Sequence, residues 1–317
     1  MKNSIKGENI LDNLERNEVD MHMHSTYSDG RNTVKELIGL VVKAKLNGAI
    51  LTEHDGVGGL EEFISLCEKS HIDSMSGVEI SSTDMTMHPQ TIDVLGYGFN
   101  KEIISRDYNE LLEHNLNVRI KYINKVLDMY RKNEVMYFTA ESLRTHFNLP
   151  VKVANKYWIM RARAESLRGR VATLEDAIEF AGNELKKGGR YFAERENYIS
   201  TKEAIVAIRQ SGGLAIWAHP TKTMEKLEKR YENPENIFSK IIERMAYEGL
   251  DGLEIYTPYG HSHRKMLLNC ADKYNLIVTG GSDYHGECGL IEDVYLGKGG
   301  LSYKEFLEIR ERIRCLK

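Results

Sequence analysis

The sequence predicts an α/β fold built on a mostly parallel sheet. Short apolar or β-branched runs alternate with longer amphipathic segments along most of the chain, which is typical of consecutive βα units. The 317 residues suffice for one large α/β barrel or two smaller domains, and an apolar content of 41% is ample for a closed core. One long stretch breaks the alternation and divides the chain into three parts.

The first part, residues 1–100, holds the first βα units. A strand ends in DMHMHSTYSDG and is followed by a helix over 33–47, with Thr33 as its N-cap and Glu36 completing a capping box. A second strand ends in LTEHD, and a helix over 59–70 leads to the run SMSGVEISS. The run TIDVLGYGF then forms a further strand. Each of these runs carries polar side chains towards its end.

The second part, residues 101–190, is helical, with helices expected over 108–133 and 173–187. Because this interruption is far longer than an ordinary connection, it is interpreted as an inserted helical cap. Between Arg119 and Arg170 the sequence contains twelve Lys or Arg and four Asp or Glu. These cations are explained either as a solvated helix face or as groups that lean over a site to hold an anionic substrate.

The third part, residues 191–317, resumes the alternation. A helix over 201–210 precedes the strand GLAIWAHP, and two further strands, GLEIYTP and LIVTGGSDYHG, follow it. A final helix over 303–315 is expected to cover the outside of the barrel. The helical stretch is thus flanked on both sides by βα units.

Composition and charge exclude several protein classes. No run approaches the roughly 20 apolar residues needed to cross a bilayer, and the segment MKNSIKGENI lacks a hydrophobic signal core, so a cytoplasmic protein without membrane contact is expected. The cysteines lack C-x-x-C spacing, which argues against a disulfide framework and a thiolate zinc site. A net charge of −4 argues against general nucleic-acid binding. The sequence leaves the oligomeric state undefined.

The segment DMHMHSTYSDG carries the strongest chemical signal. In a strand, side chains two residues apart point the same way, so His22 and His24 project together from one strand end. Asp29 follows His24 by five residues. Packing alone explains such a pattern poorly. The pattern favours a pair of metal-chelating histidines.

Polar side chains also stand at the ends of the other strands. Because the carboxyl ends of parallel strands form one face of a barrel, residues that are distant in sequence converge there. The candidate metal ligands are His22, His24, Asp29, His54, Glu79, Asp93, His219, Asp283 and His285. This many nitrogen and oxygen ligands, without sulfur, exceed the needs of one tetrahedral zinc ion, so two or three ions of the Zn, Mn or Fe type are predicted.

The order of the motifs resembles that of a known family. H-x-H, TEHD, GVEIS, a strand ending in LGYG, AHP and GSDYHG follow one another as in the polymerase and histidinol phosphatase (PHP) superfamily, most closely its stand-alone nucleotide or sugar phosphoesterases. The resemblance covers nearly the whole chain, including the helical insertion. It implies a distorted seven-stranded (β/α) barrel with a trinuclear metal centre on its C-terminal face.

The resemblance also implies how three ions share the ligands. The first ion would be held by His22, His24, Glu79 and Asp283. Glu79 would bridge to a second ion, which would also take His219. The third ion would be held by Asp29, His54 and His285.

The chain departs from the family pattern at one strand. Many relatives carry a histidine two residues before the Leu of LGYG or LGLG, where this chain has Asp93. Aspartate is a competent hard ligand, so the second metal site can be retained with altered charge and metal preference. His88, on the preceding loop, is the alternative ligand.

The predicted nucleophile is a metal-bound hydroxide. A hydroxide held between two divalent cations is nucleophilic at neutral pH, and the same ions would neutralise the phosphate oxygens. The chain has neither a G-x-S-x-G elbow nor the GK[ST] ending of a P-loop. The group that protonates the leaving oxygen is left open, because each candidate is equally well explained as a supporting or surface residue. These candidates are Asp55, His261, His263 and Tyr284.

Arginines are candidates for phosphate recognition, because a planar guanidinium suits bidentate phosphate contacts. Arg119, Arg161 and Arg163 lie in the helical stretch, and Arg31 follows the SDG turn. Each of them alone is more simply explained as a surface charge. The expected partner is a small phosphorylated substrate.

Three functions are open. The leading one, which the resemblance implies, is a metal-dependent phosphoesterase acting on a nucleotide bisphosphate or on a cyclic phosphate of a phosphorylated sugar. An amidohydrolase-type carbon–nitrogen hydrolase is an alternative, since barrels with H-x-H motifs also serve that chemistry, although no carboxylated-lysine strand is evident. A non-catalytic regulatory module with structural metals is disfavoured by the almost complete ligand set.

Overall fold

A computed structural model of the protein describes residues 18–86, 90–149, 155–167, 170–259, 261–286 and 295–316. His88, the alternative ligand, lies outside the described residues.

Strands and helices alternate from β1 to β3 in the first part of the chain, as the sequence predicts, and β4 is the next described element after β3. They are β1 (Val19–Met23), α1 (Val34–Lys43), β2 (Gly48–Leu51), α2 (Leu60–Lys69), β3 (Gly77–Asp84) and β4 (Gln90–Tyr97). The Glu36 backbone N–H donates to the Thr33 hydroxyl, and the Thr33 N–H donates to the Glu36 carboxylate. The capping box expected at the start of α1 is therefore confirmed.

A helical segment, residues 101–185, follows β4. Its helices are α3 (Lys101–Asp107), α4 (Asn109–Lys132), α5 (Ala140–His146), α6 (Lys156–Ser166) and α7 (Leu174–Leu185). The helices expected over 108–133 and 173–187 correspond to α4 and α7. Tyr130 and Ile159 belong to a cluster of buried apolar side chains from several of these helices. The helical segment therefore has an apolar core of its own.

The last part returns to alternating elements. They are α8 (Thr201–Gln210), β5 (Leu214–Trp217), α9 (Pro220–Glu228), α10 (Pro234–Tyr247), β6 (Gly252–Tyr256), α11 (Arg264–Tyr274), β7 (Ile277–Gly280) and α12 (Tyr303–Arg314). Trp217 of β5 stacks on Phe238 of α10, with 4.9 Å between the ring centroids, inside the largest apolar cluster. Among the described helices, none combines the length and apolar character needed to cross a membrane. The cytoplasmic location stays a prediction.

The strands form two sheets in a mixed α/β architecture. Strands β1 and β2 pair in parallel, and a second sheet has the order β3-β4-β5-β6-β7. Within it, β5, β6 and β7 are parallel, whereas β4 runs antiparallel to both β3 and β5. The sheet is therefore mixed at β4, which the alternation of apolar runs did not indicate. Isolated parallel bridges join His54 to Glu79 and Met23 to Tyr284, and so connect the two sheets.

Candidate metal centre

Strand β1 delivers two buried imidazoles to one place. His22 lies inside β1 and His24 directly follows it, and their Nε2 atoms are 3.1 Å apart. Glu79 Oε2 lies 3.2 Å from each of these nitrogens. Asp283 Oδ1 lies 3.3 Å from His22 Nε2. These four residues are the first ligand group, and their donor atoms face one another closely enough to surround an ion.

A second ligand group consists of His24, Asp29, His54 and His285. Asp29 Oδ1 lies 3.1 Å from His285 Nε2 and 3.5 Å from His24 Nδ1. Asp29 Oδ2 lies 3.5 Å from His54 Nε2. The rings of His54 and His285 each stack on that of His24, with centroid distances of 4.8 and 4.3 Å. Three imidazoles therefore surround one carboxylate.

A third ligand group consists of His54, Glu79 and Asp93. His219 adjoins it, with Nε2 at 3.1 Å from Glu79 Oε1 and 3.9 Å from Asp93 Oδ2. The two oxygens of Glu79 thus point to different neighbours, Oε2 to the first group and Oε1 to His219. A carboxylate in this position can bridge two ions.

The direction of β4 explains how Asp93 reaches this place. The expectation that every ligand stands at a strand's carboxyl end is wrong for Glu79 and Asp93, which lie inside β3 and β4. Asp93 pairs with Ser81 in the antiparallel ladder, and Ser81 is two residues after Glu79. Side chains opposite one another or two apart share a face, so Asp93 and Glu79 project together. The Ser81 hydroxyl also donates to Asp93 Oδ1 at 2.8 Å.

The acids and imidazoles shift one another's pKa values. Burial by itself raises the pKa of Asp29, Glu79 and Asp283, but neighbouring cationic groups hold the pKa of each well below its usual range. Burial lowers the pKa of His24, but hydrogen bonds to Asp283 and Glu79 outweigh it and raise that pKa to about 10. The carboxylates are therefore charged, and metal binding to His24 must displace a proton.

The chemistry of the donor set suits divalent cations. All donor atoms in the three groups are nitrogen or oxygen, which suits ions of the Zn, Mn or Fe type. His54 Nδ1 is buried and makes no hydrogen bond with the described residues, although Glu79 Oε2 lies 3.4 Å away. A buried polar atom without a partner is unfavourable, and a coordinated ion would satisfy it. The centre is therefore able to hold divalent metal ions.

Two residues that hydrogen-bond to the candidate ligands were not predicted from the sequence. Glu254 of β6 accepts hydrogen bonds from His22 Nδ1 and from the His219 backbone N–H, both at 2.8 Å. Lys222 of α9 donates to Asp283 Oδ2 at 2.6 Å. A single acid in the apolar strand GLEIY was the available signal for Glu254, whereas nothing in the sequence marks Lys222.

Asp55, one candidate proton donor, belongs to a separate buried network. Its Oδ1 accepts from the Ser81 N–H and the Asn115 amide, both at 2.8 Å. Its Oδ2 accepts from Arg119 Nε at 2.7 Å, and Arg119 also donates to the Ser81 hydroxyl oxygen at 2.8 Å. Arg119 of α4 is thus bound both to Asp55 and to Ser81, and Ser81 in turn contacts Asp93. The contact of Arg119 with phosphate and the acid role of Asp55 stay predictions.

The other arginines differ in position. Arg31 lies over the Tyr157 ring of α6, with 4.1 Å between the guanidinium carbon and the ring centroid. The Asn155 amide, at the start of α6, donates to the Ser28 carbonyl at 2.8 Å. Helix α6 therefore begins against the loop that carries Asp29.

Arg161 and Arg163 make their described contacts inside the helical segment. Arg163 Nε donates to Glu184 Oε2 at 2.9 Å, which ties α6 to α7. Arg161 Nε lies 4.0 Å from Glu165 Oε1, one turn along α6. Neither contact involves a ligand residue, so phosphate binding by these two arginines stays a prediction.

The remaining proton-donor candidates lie outside the three ligand groups. His261 and His263 form a short 3-10 turn ahead of α11. Arg264 donates to His261 Nδ1 at 3.0 Å, and His263 Nε2 lies 3.5 Å from Glu228 Oε2. Tyr284 is buried and bridges to β1. No role as an acid is assigned by these contacts.

Comparisons with known proteins agree with this geometry. Residues 20–192, more than half of the chain, match the PHP domain family. A curated relative from Eggerthella lenta, named phosphoribosyl 1,2-cyclic phosphate 1,2-diphosphodiesterase, is 24% identical over 281 residues, which cover 87% of this chain and 97% of the relative. A 5'-3' exoribonuclease from Haemophilus influenzae is 27% identical over 289 residues, which cover 88% of this chain and 93% of that protein.

A solved structure shares the fold. The crystal structure of a candidate metal-dependent phosphoesterase from Bifidobacterium adolescentis superposes with a TM-score of 0.73 at 23% identity, covering 93% of this chain and 96% of that one. This likeness supports the mixed α/β architecture.

Proposed function

This chain belongs to the PHP domain family, and we propose that it is a metal-dependent hydrolase that cleaves phosphoester bonds of a small phosphorylated metabolite. One observation carries the proposal: the three ligand groups share members. His24 belongs to the first and second groups, Glu79 to the first and third, and His54 to the second and third. Shared ligands bring ions close together, as a centre that clamps one phosphate requires.

We infer two or three divalent ions of the Zn, Mn or Fe type at this centre. The first ion would use the first ligand group, and the ion of the second group would lie on Asp29, His54 and His285. The third group, with the adjoining His219, would supply Glu79 and Asp93 to the remaining ion. Asp93 is thus the proposed substitute for the histidine of the commoner pattern.

Divalent ions held here would supply a nucleophilic hydroxide at neutral pH and would neutralise the phosphate oxygens. Side chains of this protein fix the positions of the ligands for that chemistry. Glu79 presents one oxygen to each side, and Lys222 binds the Asp283 oxygen that faces away from His22. Asp55, His261 and His263 are equally weak candidates for the proton donor, and both oxygens of Asp55 already accept hydrogen bonds, one of them from Arg119.

We propose that residues 101–190 form a cap over a distorted (β/α)7 barrel. The bridges between the two sheets support closure of the barrel. The contacts of Arg119 with Asp55 and of Asn155 with Ser28 join the helical segment to loops of the centre. Arg31 and Arg119 contact, or lie beside, these joining residues and are the proposed phosphate contacts, whereas Arg161 and Arg163 are weaker candidates because Arg163 is bound to Glu184 and Arg161 faces Glu165.

The proposed substrates are a cyclic phosphate of a phosphorylated sugar and a nucleotide bisphosphate. The name of the Eggerthella lenta relative favours the cyclic phosphate, and that of the Haemophilus influenzae relative adds short RNA as a class to be tested. All three are phosphate esters, so one centre can serve each of them.

A substrate screen tests the function. Protein loaded with Mn²⁺ is incubated with phosphate monoesters, 3',5'-bisphosphates, cyclic phosphodiesters and 5'-phosphorylated short RNA, and the products are separated by chromatography. Asp283→Asn, which keeps the side-chain volume but removes the charge, is the matched variant. We expect turnover of at least one phosphate ester by the loaded wild type, and its loss on chelation and in Asp283→Asn. Hydrolysis that survives both changes would contradict the proposal, as would hydrolysis of amides alone.

A further inference from the structure

We infer that Glu254 is a positioning residue that fixes His22, a member of the first ligand group, together with His219, which adjoins the third group. The inference rests on the proposed metal-dependent function. Glu254 belongs to none of the three groups of donor atoms found in the described residues. It would act on the ions only through the two histidines.

The contacts of Glu254 use both of its oxygens. The side chain is completely buried in β6. Its Oε1 lies 2.8 Å from His22 Nδ1, which belongs to a strand 232 residues away in sequence. Its Oε2 accepts from the His219 backbone N–H at 2.8 Å, just beyond the end of β5. A single carboxylate therefore links two strand ends.

The first contact selects the tautomer of His22. A neutral imidazole carries one N–H and one lone pair, so donation from Nδ1 to Glu254 leaves the lone pair on Nε2. That nitrogen is the one that lies 3.2 Å from Glu79 Oε2 and 3.3 Å from Asp283 Oδ1. The same contact also fixes the orientation of the ring, as carboxylates behind metal-binding histidines do.

The second contact holds an unusual backbone. His219 has φ 33° and ψ 56°, in the left-handed region that residues other than glycine seldom adopt. The hydrogen bond from its N–H to Glu254 stabilises this conformation, which places the ring nitrogen 3.1 Å from Glu79 Oε1. Such backbone strain persists only where surrounding contacts enforce it. Loss of the carboxylate would therefore let the His219 ring move.

The alternation of side chains along β6 directs Glu254 towards these partners. The β6–β7 ladder shifts register between Glu254 and Tyr256. Irregularities of this kind change the direction of side chains and are common beside active sites. Successive side chains of a strand alternate between two faces, so Glu254 faces the ligand groups while its neighbours Leu253 and Ile255 are buried in the apolar core.

Glu254→Gln tests the inference. Glutamine has the same shape, but its NH₂ replaces one acceptor oxygen, so either His22 Nδ1–H or the His219 N–H faces a donor. We expect Mn²⁺ and Co²⁺ to bind about 10- to 100-fold more weakly than to wild type, as is typical when a carboxylate behind a metal-binding histidine is lost. The absorption spectrum of the Co²⁺-loaded protein should also change, because the ligand geometry changes.

Thr279→Val is the matched control. Thr279 is the cross-strand neighbour of Glu254, it is completely buried, and its hydroxyl makes no hydrogen bond with the described residues. We expect wild-type metal affinity and Co²⁺ spectrum for this variant. The melting temperatures of the metal-free proteins show whether each variant folds, and Glu254→Asp replaces Glu254→Gln if the latter does not.

The outcomes separate the inference from the proposed function. Unchanged affinity and an unchanged Co²⁺ spectrum in folded Glu254→Gln would overturn the positioning role and leave the metal centre intact. Equal weakening in Thr279→Val would also overturn it, because any disturbance of β6 would then suffice. Failure of the wild type itself to bind Mn²⁺ or Co²⁺ would overturn the proposed function.

Discussion

The ion pair between Arg119 of the helical segment and Asp55 contributes to the free energy of unfolding by an amount that can be measured. The Asp55 side chain is 0% exposed, that of Arg119 is 19% exposed, and Arg119 Nε lies 2.7 Å from Asp55 Oδ2. Removing one partner of a buried ion pair leaves the other charge buried without a counter-charge, which lowers stability by about 3–5 kcal/mol. Asp55 keeps donors from Ser81 and Asn115. Arg119→Ala should therefore reduce the free energy of unfolding by about 3 kcal/mol, the low end of that range.

Lys121, two residues along α4, provides the control. Its Nζ lies 2.8 Å from Glu196 Oε2, but the two side chains are 59% and 45% exposed. Exposed pairs contribute about 0–1 kcal/mol, so Lys121→Ala should have little effect. Urea unfolding of the metal-free proteins, followed by circular dichroism, measures both changes. A loss in Arg119→Ala no larger than that in Lys121→Ala would refute the reasoning about the buried pair.

Three other side chains give outcomes that can be measured independently. Asp93→Ala should bind one ion fewer than wild type and lose most turnover, whereas Asp93→His should retain its ions; full metal content in Asp93→Ala, by elemental analysis, would refute this ligand assignment. Arg163→Ala should leave KM for phosphorylated substrates unchanged, because Arg163 is bound to Glu184; a raised KM would instead place it in the substrate site. Thr33→Ala should lower stability by about 1 kcal/mol at pH 7, measured by urea unfolding. Because hydrogen bonds from Thr33 lower the pKa of Glu36 below its ordinary 4.5, the Glu36 half of the capping box is formed above that pH and lost as the pH falls through the lowered pKa. The effect of Thr33→Ala should therefore shrink as the pH falls below 4.5, and an effect that stays constant throughout the acid range would contradict the contribution of Glu36.

Local patterns in the sequence predicted the local structure well. The limits expected for α8 agree with the structure, and α12 ends one residue earlier than expected. The period of two that aligns His22 with His24 is a property of any strand, and their Nε2 atoms do lie together. Such signals need only a few neighbouring residues.

Features that depend on partners distant in sequence could not be predicted from such local patterns. An apolar run has the same pattern in either direction, so nothing in TIDVLGYGF indicated that β4 would be antiparallel. His22, one partner of Glu254, lies 232 residues away, and Asp55, one partner of Arg119, lies 64 residues away. Only the fold shows that one acid supports the metal centre and that the Arg119 guanidinium is already bound to a carboxylate.

The metal content of fully active protein tests the central claim most directly. Elemental analysis, after dialysis to remove loosely bound ions, counts the ions that remain on the chain while phosphoester hydrolysis is measured on the same sample. Three overlapping ligand groups predict two or three ions per chain, and they predict loss of ions and activity together in His22→Asn with the fold retained. At most one ion per chain in fully active protein would contradict the account.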